Sequence, residues 1–449
     1  DGGRHEDQWG WAKFDEGDLK IYKPIPRDRD QVYTLYDGFL LGRVTGIEPL
    51  NRLESFDGRI KDIEKYNFPA RNLDRRLSNE VTKDKWMQIA KELQSSITDE
   101  TIENSVKQLP PEIYPISGAE MVEKLKSRKE NLVRYAEEYY DFLSDEVEVV
   151  GSSKEEFFEI KRLNKNELKL NLYDLDKNGK PKKNPFYSRI FKSTETDEIR
   201  LYGLNGKDIY KIEGDDDNPI RVRIIGGPQE DTVINSTSSP ENLYYYDNQN
   251  NIVKGRIHAK LTNESSVHFY KYDGFKYDDG SVIKLPSYNN ERGIYQSLGY
   301  SFTKEKWRKD PFGWKQEIRG YYSFSNKSFG AIYEGMFTEV IGKWNLALNG
   351  SYDQKLRNYF FGFGNETPFI EEKPFYALYT NEIYGGVGVN RLFGKYHTLG
   401  LTGFYQSIQV EQEQDQLISH QVPFDDPSVF SRKNFSGATA SYEYHNLND

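Results

Sequence analysis

The 449-residue chain carries 61 Lys and Arg against 71 Asp and Glu, no Cys, and 14% aromatic residues. A net charge of −10 excludes a general nucleic-acid binder, which needs broad positive surface to meet phosphate; the lack of Cys excludes disulfides, thiolate catalysis and Cys-ligated metal sites. No run approaches the roughly 18 consecutive apolar residues of a spanning helix, yet a β-barrel hides its apolar residues at alternate positions and escapes this test.

At roughly 100 to 200 residues per domain the length predicts two to four domains. The chain opens on Asp1 with no charged-then-apolar leader, so the expectation is a removed signal or an internal piece of a longer product.

Residues 1–147 read as an α-rich domain with a short β entry. Leu19 and Ile21 lie in an extended run that Pro24 and Pro26 end. Trp86, Ile89, Ala90 and Leu93 fall at i, i+3, i+4 and i+7, a helical stripe. A second helix is predicted from Thr98, with Asp99 and Glu100 in its first turn, to a stop at Pro110–Pro111. Ser117 and Glu120 form a capping-box pattern. It predicts one long amphipathic helix with Met121, Leu125, Leu132, Tyr135, Ala136 and Tyr139 on its apolar side.

Residues 148–287 change from a period of 3.6 to a period of 2 and read as a small β domain, antiparallel or solenoid-like, with a linker. "DEVEVVGSS", "FFEIKRL" and "ELKLNLYDLDKNGKPK" are predicted strands, and Asn178-Gly179 is a hairpin turn signal. "EIRLYGLNGKDIYKIEG" and "IRVRIIGGPQEDTVINS" repeat strand, Gly-containing turn, acid, strand. The repeats resemble stacked turns of β-helices that bind calcium, with Asp208 and Asp231 at matching places. The plainer reading, which weighs more, is a short β-solenoid or sandwich with solvated acidic turns. "INSTSSPENLYYYDNQNN" reads as a linker or long loop.

Residues 288–449 hold 33 aromatics among 162 residues, and their pattern is alternation. Leu298, Tyr300 and Phe302 alternate with Gly299 and Ser301; Trp344, Leu346 and Leu348 with Asn345 and Ala347; Leu399, Leu401 and Tyr405 with Gly400 and Thr402. Such runs match the roughly 9 to 11 residues of a tilted membrane strand. One apolar face and one small, polar face is what lipid outside and water inside select; a large soluble antiparallel sheet alternates too. "YGGVGVN" at 384–390 has no following helix or Lys-Ser, so its glycines belong to strand packing rather than to a phosphate loop. The expected fold is thus an α+β region followed by an all-β one, the last part being the first portion of a transmembrane antiparallel β-barrel.

Chemistry concentrates at the N-terminus, in "DGGRHEDQWGWAKF" and "YKPIPRDRDQVY". An acid, an Arg-His pair and a carboxamide, then Asp28 and Asp30 about twenty residues on, distantly resemble the catalytic loop and metal-binding Asp of atypical kinases. Phosphoryl transfer needs a carboxylate to orient the acceptor and an amide oxygen with a carboxylate to hold Mg²⁺. The resemblance implies catalytic roles for Asp1 and His5 and a metal set of Gln8, Asp28 and Asp30, with Mg²⁺ or another divalent metal as the only cofactor suggested. Gln8 stands where that pattern has Asn, and Gly3 where it has the catalytic Asp. Surface salt bridging among Arg27, Asp28, Arg29 and Asp30 is the plain alternative.

As a whole the chain resembles large Bacteroidetes-type outer-membrane proteins whose C-terminal part is a surface-antigen barrel similar to the barrel-assembly and translocation-assembly proteins. The motifs that carry the resemblance are "RHEDQWGWAKF", "YKPIPRDRDQVY", "EKLKSRKENL", "RLYGLNGKD", "VRIIGG" and "NYFFGFGNET". A calcineurin-like metallophosphoesterase region often precedes these segments in that family. The resemblance implies an outer-membrane location, with membrane lipid and other outer-membrane proteins as partners and no nucleic acid. It also implies that the barrel is partial, serving surface presentation, assembly or transport. A phosphotransferase or metallophosphoesterase only partly represented here is the alternative.

Overall fold

The structure, a computed structural model, describes residues 4–16, 19–36, 38, 54–214, 217–263, 267–364, 366–421 and 427–445. It divides into two compact units, one up to Phe275 and one from Lys276 on.

The first unit opens with an antiparallel hairpin of β1 (Trp9–Glu16) and β2 (Leu19–Pro26). Helices α1 (Ile63–Asn67), α2 (Arg71–Ser78), α3 (Lys83–Ser96), α4 (Asp99–Val106), α5 (Ala119–Glu130) and α6 (Leu132–Ser144) follow. Thr98 caps α4 as its position predicts, its hydroxyl accepting from Thr101 N at 3.0 Å. Ser117 does not cap: it lies in a π-helical turn, Tyr114–Gly118, that runs straight into α5, so the chain has no free helix start there. The long stripe is likewise two helices, broken at Asn131. Of these, α6 supplies the helical core, burying Tyr135, Tyr139 and Leu143 against Ile63 with Trp86 beside them. The polar ends of those rings are satisfied, as burial requires: Trp86 Nε1 donates to Ala136 O at 2.8 Å and Tyr139 Oη to Asp74 at 2.7 Å.

The β part of this unit is a two-sheet solenoid. One sheet stacks β3 (Glu146–Val150), β7 (Glu198–Tyr202), β9 (Arg221–Ile225), β11 (Leu243–Asp247) and β13 (His258–Leu261), each pair of neighbours parallel. The other stacks β4 (Glu156–Asn164), β8 (Ile209–Gly214), β10 (Thr232–Asn235) and β12 (Ile252–Lys254) in parallel. It is extended by an antiparallel hairpin of β5 (Glu167–Asp174) and β6 (Tyr187–Lys192). The chain alternates between the sheets, so every second side chain of each strand enters one shared core of Val149, Phe158, Ile160, Leu201, Tyr210, Val222, Val233 and Tyr245. Strand β11 lies inside the segment whose Ser, Pro and Asn content reads as a linker; Leu243 and Tyr245 are fully buried there, and core burial overrides the turn-rich composition.

The second unit is one antiparallel sheet of eight strands in sequence order: β14 (Asp279–Asn289), β15 (Gly293–Lys304), β16 (Trp314–Ser323), β17 (Ser328–Ile341), β18 (Trp344–Tyr359), β19 (Ala377–Phe393), β20 (His397–Val410) and β21 (Lys433–Tyr444). Nearest-neighbour pairing makes each strand a hairpin with the next. A short helix, α7 (Leu417–Gln421), lies between β20 and β21. Strand β14 begins nine residues before 288, within the range 148–287 assigned to the β domain and its linker.

Candidate functional site

Cross-strand register fixes which side chains share a face of the large sheet, because facing partners point the same way and the side changes at each residue. One row runs Val282, Tyr300, Ile318, Tyr333, Gly350, Gly385, Tyr405 from β14 to β20. The row one residue away runs Ser301, Glu317, Glu334, Asn349, Gly386. The sheet thus has an apolar face and a polar face.

Among the described residues nothing within the unit covers the apolar face: Val282, Leu298, Ile318, Val387 and Leu401 are each more than half exposed. The polar face folds in on itself, burying Ser297, Ser301, Tyr321 and Asp353. There Arg292 Nη2 donates to Asp353 Oδ1 at 2.6 Å, and Tyr321 Oη donates to the same carboxylate. Lys355 Nζ pairs with Glu411 at 3.2 Å and Glu413 at 3.4 Å. An exposed apolar face this wide marks an interaction surface.

Aromatic rings collect at both ends of the strands. At one end Trp314 packs between Phe302 and Phe337, with centroids 5.4 and 6.5 Å away, and Trp344 meets Phe393 at 6.1 Å. At the other end Tyr322 meets Phe324 at 5.3 Å, and Phe329 meets Tyr352 at 5.8 Å. Trp314 and Tyr322 bound β16, so at about 3.4 Å per residue they stand about 27 Å apart along the strand. A strand tilt of about 40° brings that to about 20 Å, close to the apolar band of outer-membrane barrels. Among the described residues no helix is long and apolar enough to cross a membrane.

The residues singled out at the N-terminus are placed differently from one another. Asp1 lies outside the described residues. His5 is exposed, its Nδ1 4.0 Å from Asp7. Gln8 is buried where β1 begins, and its Oε1 accepts from Arg29 Nη1 at 3.2 Å, while that guanidinium also lies over the Trp9 ring. Asp28 and Asp30 flank Arg29 and are both exposed, Asp28 with a φ of 46°. The hairpin therefore brings Gln8 to the Asp28–Asp30 segment through the arginine between them. Among the described residues no three His, Asp or Glu groups are arranged to hold a metal.

The acidic turns of the solenoid are not solvated. Asp208 is 1% and Asp231 0% exposed, a correction whose cause is the coil geometry: both carboxyls point inward at the corner between the two sheets. Each accepts the backbone N–H of the acid one coil earlier, Glu156 N to Asp208 Oδ1 at 2.9 Å and Asp208 N to Asp231 Oδ1 at 2.7 Å. Asn251 continues the ladder by accepting from Asp231 N at 2.6 Å. Burial pushes the Asp208 carboxyl up to about 8 against the help of its backbone hydrogen bond, and burial together with Asp247 drives Asp231 upward as well. Only Asp208 and Asp231 could be picked out from sequence, through their shared place in the two repeats. Glu156, Asn251 and Asp247 occupy the same column under other residue types or spacings.

No known protein family, no curated protein and no solved structure matches the chain.

Proposed function

We propose that the chain is part of an outer-membrane β-barrel protein of the surface-antigen type, in which the eight-stranded sheet is the membrane segment and the first unit stands outside the bilayer. The single observation that carries this reading is the two-faced sheet, with exposed Leu298, Ile318, Val387 and Leu401 on one side and Ser, Asn, Glu and Gly on the other. In water such a face costs about 25 cal/mol for each square ångström left uncovered. In lipid the cost vanishes, and the aromatic rings at the strand ends sit at the two interfaces.

Strand length supports the same setting, since all eight strands have 10 to 17 residues, enough to cross a hydrocarbon core at a tilt. The two longest connections, 360–376 and 411–432, lie at the same end of the sheet, which also carries the short turns 290–292 and 324–327; the other end carries 342–343, 394–396 and the longer 305–313. Strands β14 and β21 are the edges of the sheet, and edges in lipid require pairing, so further strands or a second protein would close it. Surface presentation, assembly or transport are the roles such a barrel serves.

The test is fractionation of cells expressing the full chain. The expected result is recovery with outer membranes, extraction only by detergent, and gel migration that shifts on heating. Full recovery of folded protein in the aqueous fraction without detergent overturns the reading.

A further inference from the structure

Both sheets of the solenoid end on the same coil, at β12 and β13. These two strands are far less covered than the ones before them. Strand β13 stacks His258 to Leu261 on Tyr244 to Asp247, yet all four of its residues are exposed where Tyr245 and Asp247 are buried. Val253 and Ile257 pack on the shared core but are only partly buried, and Leu261 is 38% exposed. Among the described residues, then, nothing is stacked on the outer side of the last coil.

The backbone of this coil is open as well. Thr262 N donates to Asp247 O at 2.7 Å, and in a parallel ladder successive residues turn their N–H and C=O groups to opposite sides. His258 and Lys260 therefore bond towards β11, while the N–H and C=O groups of Ala259 and Leu261 face the open side. At the opposite end of the same sheet such groups are capped: Arg75 Nη1 donates to Glu146 O at 2.6 Å and Asn79 Nδ2 to Glu148 O at 2.8 Å. A row of free backbone groups is a template for a further strand. Charge at this end is one-sided. Earlier coils meet through opposite charges: Arg200 on β7 reaches Glu146 on β3 at 2.5 Å, Arg223 on β9 reaches Glu198 on β7 at 2.8 Å, and Lys161 on β4 reaches Glu213 on β8 at 2.9 Å. From Asn248 to Asn263 the sequence holds Lys254, Arg256 and Lys260 and no acid. All three cations are exposed, and among the described residues none has an ion-pair partner.

We propose that this open end of the solenoid is a docking surface for an extended acidic segment of a partner protein, which pairs with β13 as the next strand of its sheet. In strand addition of this kind backbone pairing supplies affinity, and side chains at alternate positions supply the choice of partner. Apolar groups on one side of the added strand cover Ala259 and Leu261. Carboxylates on its other side meet the coil that carries Lys254, Arg256 and Lys260, as Glu146 and Glu198 meet arginines one coil away. A second copy of the chain brings the same three cations to the junction and no acid, so like charge opposes it. The charges that keep such an edge from pairing with its own kind select an acidic strand.

The experiment uses the full chain and a short fluorescent peptide in which Glu alternates with Val, with anisotropy as the readout. Polyglutamate, and the same peptide with Lys in place of Glu, are the controls. The expected result is saturable binding of the Glu–Val peptide that weakens with salt, with both controls weaker by about tenfold or more. Lys254→Glu, Arg256→Glu and Lys260→Glu together, all at exposed positions, should weaken the peptide by about tenfold or more with an unchanged circular dichroism spectrum. Ala259→Pro removes an N–H on the open side and leaves the ladder to β11 in place, so it should weaken the peptide with every cation retained. Binding that survives Ala259→Pro but not the charge reversal is adsorption by charge alone and overturns the proposal, as does polyglutamate binding as tightly as the Glu–Val peptide. Absence of saturable peptide binding at millimolar concentration overturns it too, as does capture of phosphatidylglycerol vesicles without the peptide. Dimerisation that Ala259→Pro abolishes would give the edge to a second copy and overturn the choice of partner.

Discussion

Arg292 and Asp353 meet on the polar face of the large sheet, Nη2 to Oδ1 at 2.6 Å, although 61 residues separate them. Arg292 closes the turn between β14 and β15, and Asp353 lies in β18, so the pair ties the first hairpin to a strand three places away in the sheet. Both side chains are largely buried, at 17% and 6% exposure, and Tyr321 donates to the same carboxylate. Removing one member of such a pair leaves the other charge without its counterpart, which costs about 3 to 5 kcal/mol. Asp353→Ala should therefore lower the temperature at which heat-modifiable migration is lost by many degrees. Replacing both Arg292 and Asp353 with apolar residues should restore most of it. A double variant no more stable than Asp353→Ala would show that the contact is not what holds this face.

A second buried charge cluster sets how the first unit responds to acid. Glu198 is 2% exposed and accepts from Arg200 Nε at 2.7 Å, Arg223 Nε at 2.8 Å and Arg221 Nη1 at 3.0 Å. Burial works to raise its pKa, but the Arg200 and Arg223 guanidinium groups outweigh it and bring Glu198 from 4.5 to about 2. A depressed carboxylate contributes stability that is fully present above its unfolded pKa and lost as pH falls through its folded one. The window is therefore about pH 4.5 to 2, and the contribution is of order 3 kcal/mol. Glu146 and Glu148 share Arg200 with Glu198 but are raised, mainly by burial, so they take up protons first and their cost is relieved before Glu198 titrates. Acid unfolding followed by circular dichroism should show the steep loss in that window, and Glu198→Gln should flatten it while lowering stability at pH 7.

Much of this architecture is legible in the residue pattern, and the exceptions have physical causes. Thr98 marks a helix start because its hydroxyl has an amide to cap; Ser117 carries the same signal but sits inside a continuous helical run, where no amide is free. Strand β14 escapes the alternation rule because Lys284 and Pro286 occupy the apolar side of the sheet beside Leu298 and Gln296, an interruption that an edge strand tolerates. The N-terminal motif suggests a metal set, yet an amide and two carboxylates near in sequence need a fold to bring them together, and here Arg29 lies between. The carboxylate column is half legible. Asp208 and Asp231 recur 23 residues apart, but Asp247 reaches the column from the end of β11, which only the strand register reveals.

Gly214 ends β8 at a φ of 108°, and a Cβ there would stand 2.0 Å from the Arg162 carbonyl oxygen on β4. Gly214→Ala therefore meets both an unfavourable backbone conformation and rigid backbone, and should destabilise the first unit by about 2 kcal/mol or more. Gly342 offers the contrast. It has a φ of 59° in the tight β17–β18 turn, with nothing within 4 Å of a Cβ, and Asn accepts that conformation readily. Gly342→Asn should change stability by less than about 1 kcal/mol, and urea titration of the two variants against the parent chain measures both.

The decisive comparison for the membrane reading is between Val387 and Asn349, which sit on opposite faces of neighbouring strands near the middle of the sheet. Val387 pairs with Leu348 and is 59% exposed; Asn349 pairs with Gly386 on the polar side. If lipid covers the apolar face, Val387→Arg places a charge near the bilayer midplane and costs about 2 to 4 kcal/mol. Asn349→Arg faces water in either setting and should be close to neutral. In a water-soluble sheet the ordering disappears, because an exposed valine can be replaced by arginine within about 0.5 kcal/mol. Urea unfolding of both variants refolded into lipid vesicles reads the difference directly: a gap of at least about 2 kcal/mol between them is expected, and equal stabilities would remove the membrane assignment of the sheet.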